Sequence, residues 1–231
     1  MPNGTDGQSP LAIVATTAEV LGHPDASRQL LNPIERERAD RFRRESTRRD
    51  FIAAHILVRL CAARQLGLRP AELALEQVCP GCGLSGHGRP VLTDRPGFWL
   101  SLSHTAGVVA AAAGWAPVGV DVEVLDRPQP DPALLARVLT DAEQAQVAGH
   151  PDPSYAFLRQ WVRKEAMVKI GRADLDTLAS LDLSALPPGR PGGPADAVHT
   201  FGDLHVLDRD DRLRGALAAV VSTVPVVVGT A

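Results

Sequence analysis

The stretch that most constrains this chain is Val118 to Val124, which reads VGVDVEV. Val118, Val120, Val122 and Val124 alternate with Gly119, Asp121 and Glu123. Strict alternation is the period-2 signature of a half-buried strand. The valines are expected to face a core, with Asp121 and Glu123 together on the opposite face. Carboxylates at i and i+2 on a strand are ~7 Å apart along the chain, within reach of one hard cation. Gly119 permits a close approach to the backbone just before them. A lone DxE is ordinarily a solvated acidic face. Here WVRKEAMVK follows about 40 residues later, at Trp161 to Lys169.

That second stretch reads as a helix. Trp161, Lys164, Glu165, Val168 and Lys169 share one side through i, i+3 and i+4 spacing. Of the 24 Lys+Arg only two are lysines, Lys164 and Lys169. Lysine is a compact point charge and arginine a planar fork, so this placement draws attention. By itself a Glu165–Lys169 pair is a surface contact of a few tenths of a kcal/mol. With Asp121 and Glu123 brought in, three carboxylates meet the oxygen demand of Mg²⁺. Lys169 then stands one turn away, able to touch a phosphate.

Composition excludes several classes. The 231 residues suit one large domain or two small ones. A net charge of −3 gives no footprint for nucleic acid. No apolar run reaches the ~18 residues of a membrane span, and the polar start MPNGTDGQSP does not read as a signal peptide. Cys61, Cys79 and Cys82 make no disulfide framework. The expected setting is the cytoplasm.

In chain order, residues 1–10 read as a loose tail, and LAIVATT (11–17) as a strand. Asn32 caps a helix with Pro33 at its first position. A second helix runs from about Thr47 to Leu66 and stops at Gly67, and residues 68–75 are expected to add a helical turn. CPGCGLSGHGRP (79–90) is turn-rich. FWLSLSH and VVAAAAGW read as two strands around Thr105-Ala106-Gly107. Asp131 and Thr140 are candidate helix caps, and Ser154 to Ile170 a longer helix. SALPPGRPGGPADAV (184–198) reads as a loop. Strands at about 203–207 and 213–222 with a turn at Asp208–Asp211, and an extended VPVVVGT tail, are expected to close the chain. The halves resemble each other weakly: strand, helices, hairpin. The expectation is an N-terminal subdomain, 11–116, and a C-terminal one, 117–231, about a pseudo-twofold axis.

Two further pieces complete a site for a phosphorylated ligand. Gly88-Arg89-Pro90 presents an arginine on a rigid turn, and Ser103-His104 ends the strand before the central one. Arg89 and His104 are candidate phosphate ligands, although a lone GRP is usually a turn and a lone histidine usually structural.

Taken in order, GRP, LSHT, VGVDVE and WVRKEAMVK resemble the 4'-phosphopantetheinyl transferase family, of the larger monomeric type typified by surfactin synthetase activators. The matched region runs from about Arg36 to Lys169. Val162 departs from a position usually small and polar, and Arg89 stands where many members have lysine. The resemblance implies an α+β pseudo-dimer of two similar α/β subdomains with the active site between them. It implies Mg²⁺-dependent transfer (Mn²⁺ being the other candidate) of the 4'-phosphopantetheine arm of coenzyme A to a serine of an apo acyl or peptidyl carrier protein, releasing 3',5'-ADP. By the family pattern Arg48 or Arg49, Arg89, Pro90, Ser103, His104 and Lys164 bind coenzyme A. Asp121, Glu123 and Glu165 hold the metal, Lys169 contacts a phosphate, and Glu165 is the candidate base, with Asp121 and Lys169 in the catalytic set. A monomer is expected. Acidic carriers would dock near the arginine-rich residues 36–49, a run equally readable as a solvated helix face.

Two other readings use the same residues: a Mg²⁺-dependent phosphohydrolase, which leaves GRP and SH unexplained, and a carrier-binding module without catalysis, which needs no acidic triad. Cys79, Cys82 and His87 have the residue types of a zinc site, with a fourth ligand missing from the sequence. The plainer reading is a rigid turn presenting Arg89.

Overall fold

The computed structural model describes residues 9–79, 81–127 and 129–231. The fold is mixed α+β. Its elements are β1 (Leu11–Thr16), α1 (Thr17–Leu21), α2 (Pro33–Asp40), α3 (Glu45–Leu66), β2 (Leu75–Val78), β3 (Arg89–Leu92), β4 (Trp99–Thr105), β5 (Val108–Gly114), β6 (Val118–Val124), α4 (Pro132–Val138), α5 (Asp141–Ala148), α6 (Pro153–Lys169), β7 (Asp196–Phe201), β8 (Leu204–Asp211), β9 (Ala216–Ser222) and β10 (Val227–Gly229). One sheet has the order β10-β1-β5-β4, a second β6-β9-β8-β7, and β2 with β3 forms a hairpin. The tail strand β10 returns to pair in parallel with β1.

The local signals act where the sequence puts them. The Asn32 side chain accepts from the Glu35 amide at 2.9 Å, and the Glu35 carboxylate accepts from the Asn32 amide at 2.8 Å. This capping box opens α2 with Pro33 at its first position. Glu35 also reaches inward. It is buried and accepts from Arg59 at 2.7 Å while its other oxygen lies 2.8 Å from His55 Nδ1. One carboxylate thus starts a helix and fastens it to α3. α3 ends at Gly67, whose φ of 66° is left-handed.

Strand alternation then builds the layers. Leu11, Ile13, Ala15, Val109, Ala111 and Ala113 meet the apolar face of α3. Their alternates Ala12, Val14, Val108, Ala110 and Ala112 meet Val118, Val120, Val122, Ala218 and Val220 of the other sheet. On that sheet's far side Ala219 and Val221 pack under Val162, Ala166 and Met167 of α6. The order is helix, sheet, sheet, helix. Facing alanines let the two sheets come close.

Residues 70–72 form the expected helical turn, of 3-10 type, and β2 begins at Leu75. Three expectations need correction. Arg89 and Pro90 begin β3, paired with Val78 and Gln77, instead of occupying the turn. Residues 196–198 are strand β7. Asp208–Asp211 are not a turn but the end of β8. Acidic runs read as turns because burying carboxylates is costly, yet here arginines from α6 compensate. Arg163 grips Asp208 with both nitrogens, one at 3.0 Å, and Arg159 lies 3.7 Å from it.

These contacts yield a pH dependence. Burial works to raise the Asp208 pKa, but hydrogen bonds from His199 and Arg163 outweigh it and hold the carboxyl at about 2. The folded value is below the ordinary 3.8. Its stabilisation is therefore present above the unfolded pKa and lost as pH falls through about 2. Asp208→Asn should be less stable than the parent at neutral pH, and the gap should narrow between about pH 4 and pH 2 in urea titrations.

A second prediction concerns the β6–α6 contact. A Cβ added to Gly119 would lie 2.2 Å from the Ala166 carbonyl oxygen. Both are backbone-anchored, so Gly119→Ala should cost about 1–3 kcal/mol. The same change at exposed Gly202 is the control for a turn, and urea midpoints decide between them.

Candidate active site

The acidic strand face does not meet solvent. The valines of β6 enter the layer between the sheets, as alternation demands. The opposite face, Gly119, Asp121 and Glu123, lies under α6. Because Gly119 has no side chain, the Ala166 carbonyl can rest on it. That contact draws the neighbours of Ala166 down onto the strand. Lys169, three residues on, donates to the Val120 carbonyl and to Asp121 Oδ1, both at 2.8 Å.

Asp121 is only 5% exposed. Its Oδ1 also accepts from Ser103 Oγ at 2.7 Å. Two residues earlier on β4, Ser101 Oγ accepts from the Val120 amide at 3.0 Å. Serines at alternate positions of one strand therefore stitch the two sheets together where β4 and β6 adjoin. Asp121 Oδ2 is buried with no hydrogen-bond partner among the described residues. A buried carboxylate oxygen without a donor is costly, and this one marks a place for a cation.

The other two acids are close enough to feel that charge. Burial pushes the Glu165 pKa up, Asp121 adds to the rise and Lys169 opposes it. Burial also raises Glu123, again with Asp121 contributing, while Arg127, Thr105 and Trp161 counteract. Arg127 pairs with Glu123 and donates to Thr105 Oγ1 at 3.1 Å. The oxygens of the three acids are not all within 4.8 Å of one another. Crowded carboxylates with raised pKa values in a cleft are a functional-site signature.

Cations stand on the other side. Arg89 lies over the ring of Trp99 at 4.5 Å, which fixes the guanidinium plane. Arg89, Pro90 and Lys169 line one cavity of about 390 Å³ with Ser101 and Leu102 of β4. His104 is packed edge-on to Phe51 with ring centroids 6.1 Å apart. Burial and then the charge of His55 keep it below the usual histidine range, against the pull of Asp50.

Four expected ligand residues are otherwise engaged or lie at the surface. Lys164 is a correction: it is fully buried and donates to Glu143 at 2.6 Å and to the Val138 and Leu178 carbonyls at 2.7 and 2.9 Å. With its three donors used, it holds α5 to α6 and has none to spare for a ligand. Helical spacing put it beside Glu165, but adjacent residues face different directions. Arg48 pairs with Glu45 at the start of α3, and Arg49 is exposed. Ser103 is committed to Asp121. Sequence reasoning gave no site role to Arg38, Thr105 and Arg127, and placed Trp161 on the Glu165 face without linking it to Glu123. Arg38 sits 5.5 Å over Phe51, and its charge reaches His104. Of the three, Thr105, next to His104, carried a local hint.

A buried carboxylate with a free oxygen, two crowded acids, and an arginine and lysine lining an adjacent cavity define a site of the polyanion-and-metal class. Comparison with known proteins narrows it. Residues 117–208 match the model of the 4'-phosphopantetheinyl transferase superfamily. A 4'-phosphopantetheinyl transferase of Bacillus subtilis is 25% identical over 150 residues, 64% of this chain and 63% of that protein. The transferase HetI of Nostoc sp. is 29% identical over 168 residues, 70% of this chain and 67% of that protein. The transferase psf-1 of Bacillus pumilus is 28% identical over 169 residues, 69% of this chain and 68% of that protein. The match to the Bacillus subtilis relative thus spans just under two thirds of that protein's length. The chain is thus similar to the 4'-phosphopantetheinyl transferase superfamily over its central and C-terminal part, and its likeness is to the larger type. No described helix is long and apolar enough to cross a membrane.

The Asp121–Lys169 pair can be tested by itself. Removing one partner of a fully buried pair costs ~3–5 kcal/mol. Lys169 keeps 25% of its side chain exposed, so Lys169→Met should cost less, about 2 kcal/mol after screening. Adding Asp121→Asn to Lys169→Met should recover part of that loss. A strictly additive double-mutant cycle would show that the two are uncoupled.

Proposed function

We propose that this protein transfers the 4'-phosphopantetheine arm of coenzyme A to a serine hydroxyl of an apo acyl or peptidyl carrier protein, releasing 3',5'-ADP. The observation that carries this reading is Asp121: buried, held by Lys169 and Ser103, with its second oxygen unpartnered and its charge felt by Glu123 and Glu165. The donor set fits Mg²⁺, since all three acids offer hard oxygens and a cation would relieve their mutual repulsion. Asp121, Glu123 and Glu165 would hold it. A bound Mg²⁺ supplies charge neutralisation and alignment for attack on a pyrophosphate.

The chain's own residues divide the remaining work. Lys169 and Arg89 bind phosphate oxygens across the shared cavity, Lys169 as a point charge and Arg89 as a fixed fork. His104, held neutral by its surroundings, offers a hydrogen bond near the Arg38 side. Glu165 takes the proton of the carrier serine as its oxygen attacks. Its raised pKa brings it nearer the operating pH, where a base works best. Exposed Arg38, Arg41, Arg43, Arg44 and Arg49 offer an acidic carrier a complementary face. The two subdomains, 11–116 and 117–231, form the pseudo-dimer, each pairing one sheet with one long helix, and the site lies on the β4–β6 seam. The protein acts as a cytoplasmic monomer without nucleic acid.

The test is direct. The protein, coenzyme A, Mg²⁺ and an apo carrier protein should yield a carrier heavier by one phosphopantetheine, with 3',5'-ADP formed alongside. Hydrolysis of coenzyme A without carrier modification would instead support a phosphohydrolase. Glu165→Gln should lower kcat by at least ~10², within the general-base range, with little change in carrier affinity measured separately. A kcat within about threefold of the parent, well short of that range, would remove Glu165 from the chemistry.

A further inference from the structure

A second cluster of chemically capable side chains lies outside this site, on the β2–β3 hairpin. Among the described residues, the ligand atoms of Cys79, Cys82 and His87 all lie within 4.8 Å of one another. Cys82 Sγ and His87 Nε2 are 3.4 Å apart. Zn–S bonds of ~2.3 Å and Zn–N bonds of ~2.0–2.1 Å at tetrahedral angles put such ligand atoms roughly 3.5–3.8 Å apart. The separation is close to that of two ligands on one small cation, and here it is bridged by a thiol–imidazole hydrogen bond.

The backbone supports the same geometry. The Gly83 amide donates to the Cys79 carbonyl at 2.8 Å, and the Cys79 amide donates to the Leu84 carbonyl at 3.0 Å. This tight reversal presents both thiols to one side. The amides of Cys82 and Gly81 point at the Cys79 sulfur. Cys61 is a contrast. It is fully buried in α3, donates to the Leu11 carbonyl at 3.2 Å, and burial pushes it up to about 12.

We infer that Cys79, Cys82 and His87 form a binding site for one thiophilic divalent cation, zinc by its ligand chemistry, with water in the fourth position. Sulfur and imidazole donors select zinc over magnesium, so this site and the acidic site do not compete for one ion. On binding, the two thiols release two protons to solvent and His87 uses a neutral nitrogen. The role follows from the chain path. A Cβ on Gly88 would lie 2.5 Å from Cys79 Cα and from the Val78 carbonyl oxygen, and its φ of 91° is left-handed. The cluster is therefore packed against the residue that precedes Arg89. Metal there ties the hairpin tip and limits where the Arg89 strand can move.

The test needs no transferase activity. Reduced protein purified with zinc present should carry about one zinc per chain by elemental analysis, the occupancy of a single tetrahedral site. Cys82→Ser and His87→Ala should fall below about a tenth of that, while Cys61→Ala keeps it. Co²⁺ added to chelator-stripped parent protein should give thiolate-to-cobalt charge-transfer absorption that Cys82→Ser lacks. Circular dichroism establishes that each variant is folded. Zinc removal and return on the unmutated chain, followed by hydrogen exchange over residues 75–92, supplies a readout without any substitution, with slower exchange expected when zinc is bound. Reduced parent protein that takes up no zinc, a Cys79–Cys82 disulfide that forms in its place, or equal zinc in Cys82→Ser would each overturn the assignment.

Discussion

The site depends on the contact between the Gly119 backbone and the Ala166 carbonyl. Any side chain at 119 would hold α6 away from β6. With the helix seated, Lys169 reaches two oxygens of the strand and Glu165 comes within the field of Asp121. Valines hold the other side of β6 in the apolar layer between the sheets, so the strand cannot retreat. The acidic face is thus clamped between packing on one side and a helix on the other. That enclosure makes its charges strong, because water no longer screens them.

Enclosing charge requires compensation, and the fold supplies it with cations rooted in helices. Arg163 and Arg159 neutralise Asp208, Lys164 neutralises Glu143, and Arg59 with His55 neutralises Glu35. Buried pairs of this kind add little net stability compared with apolar packing, but an orphaned partner is costly. They therefore hold α2, α5 and α6 in one arrangement each. Among the described residues, Asp121 is the buried carboxylate left with an unpartnered oxygen. Lys169 and Ser103 satisfy one oxygen and leave the other bare. Unmet demand in an otherwise compensated interior is what sets a functional carboxylate apart from structural ones.

The β2–β3 hairpin adds a different constraint. Arg89 is held flat by Trp99 on one side and by the Gly88–Cys79 packing behind it. A guanidinium on a paired strand residue loses less freedom on binding an anion than one on a free loop. The Cys79, Cys82 and His87 cluster and Arg89 share one short segment beside the cavity.

Much of this was written in the sequence. Alternation in VGVDVEV determined the strand and its faces, Asn32-Pro33 and Thr140-x-x-Glu143 determined helix starts, and Gly67 determined a stop. These signals are local, so a few residues suffice to specify them. Helix and strand periodicity also suggested that Glu165 and Lys169 meet the Asp121 face, but the ion pair between Lys169 and Asp121 is visible only in the folded chain. Tertiary structure decided the rest. Asp208 could enter a strand because Arg159 and Arg163 arrive from α6 to neutralise it, with Arg214 of the following turn on Asp211. Lys164 turned into the core because Glu143 and two carbonyls, 14 to 26 residues away, surround its ammonium. The strand β10 crossed back to β1, a pairing over more than 200 residues that no local pattern encodes. Propensity and period act within a turn or a strand, whereas charge compensation and sheet order depend on which distant groups the chain brings together.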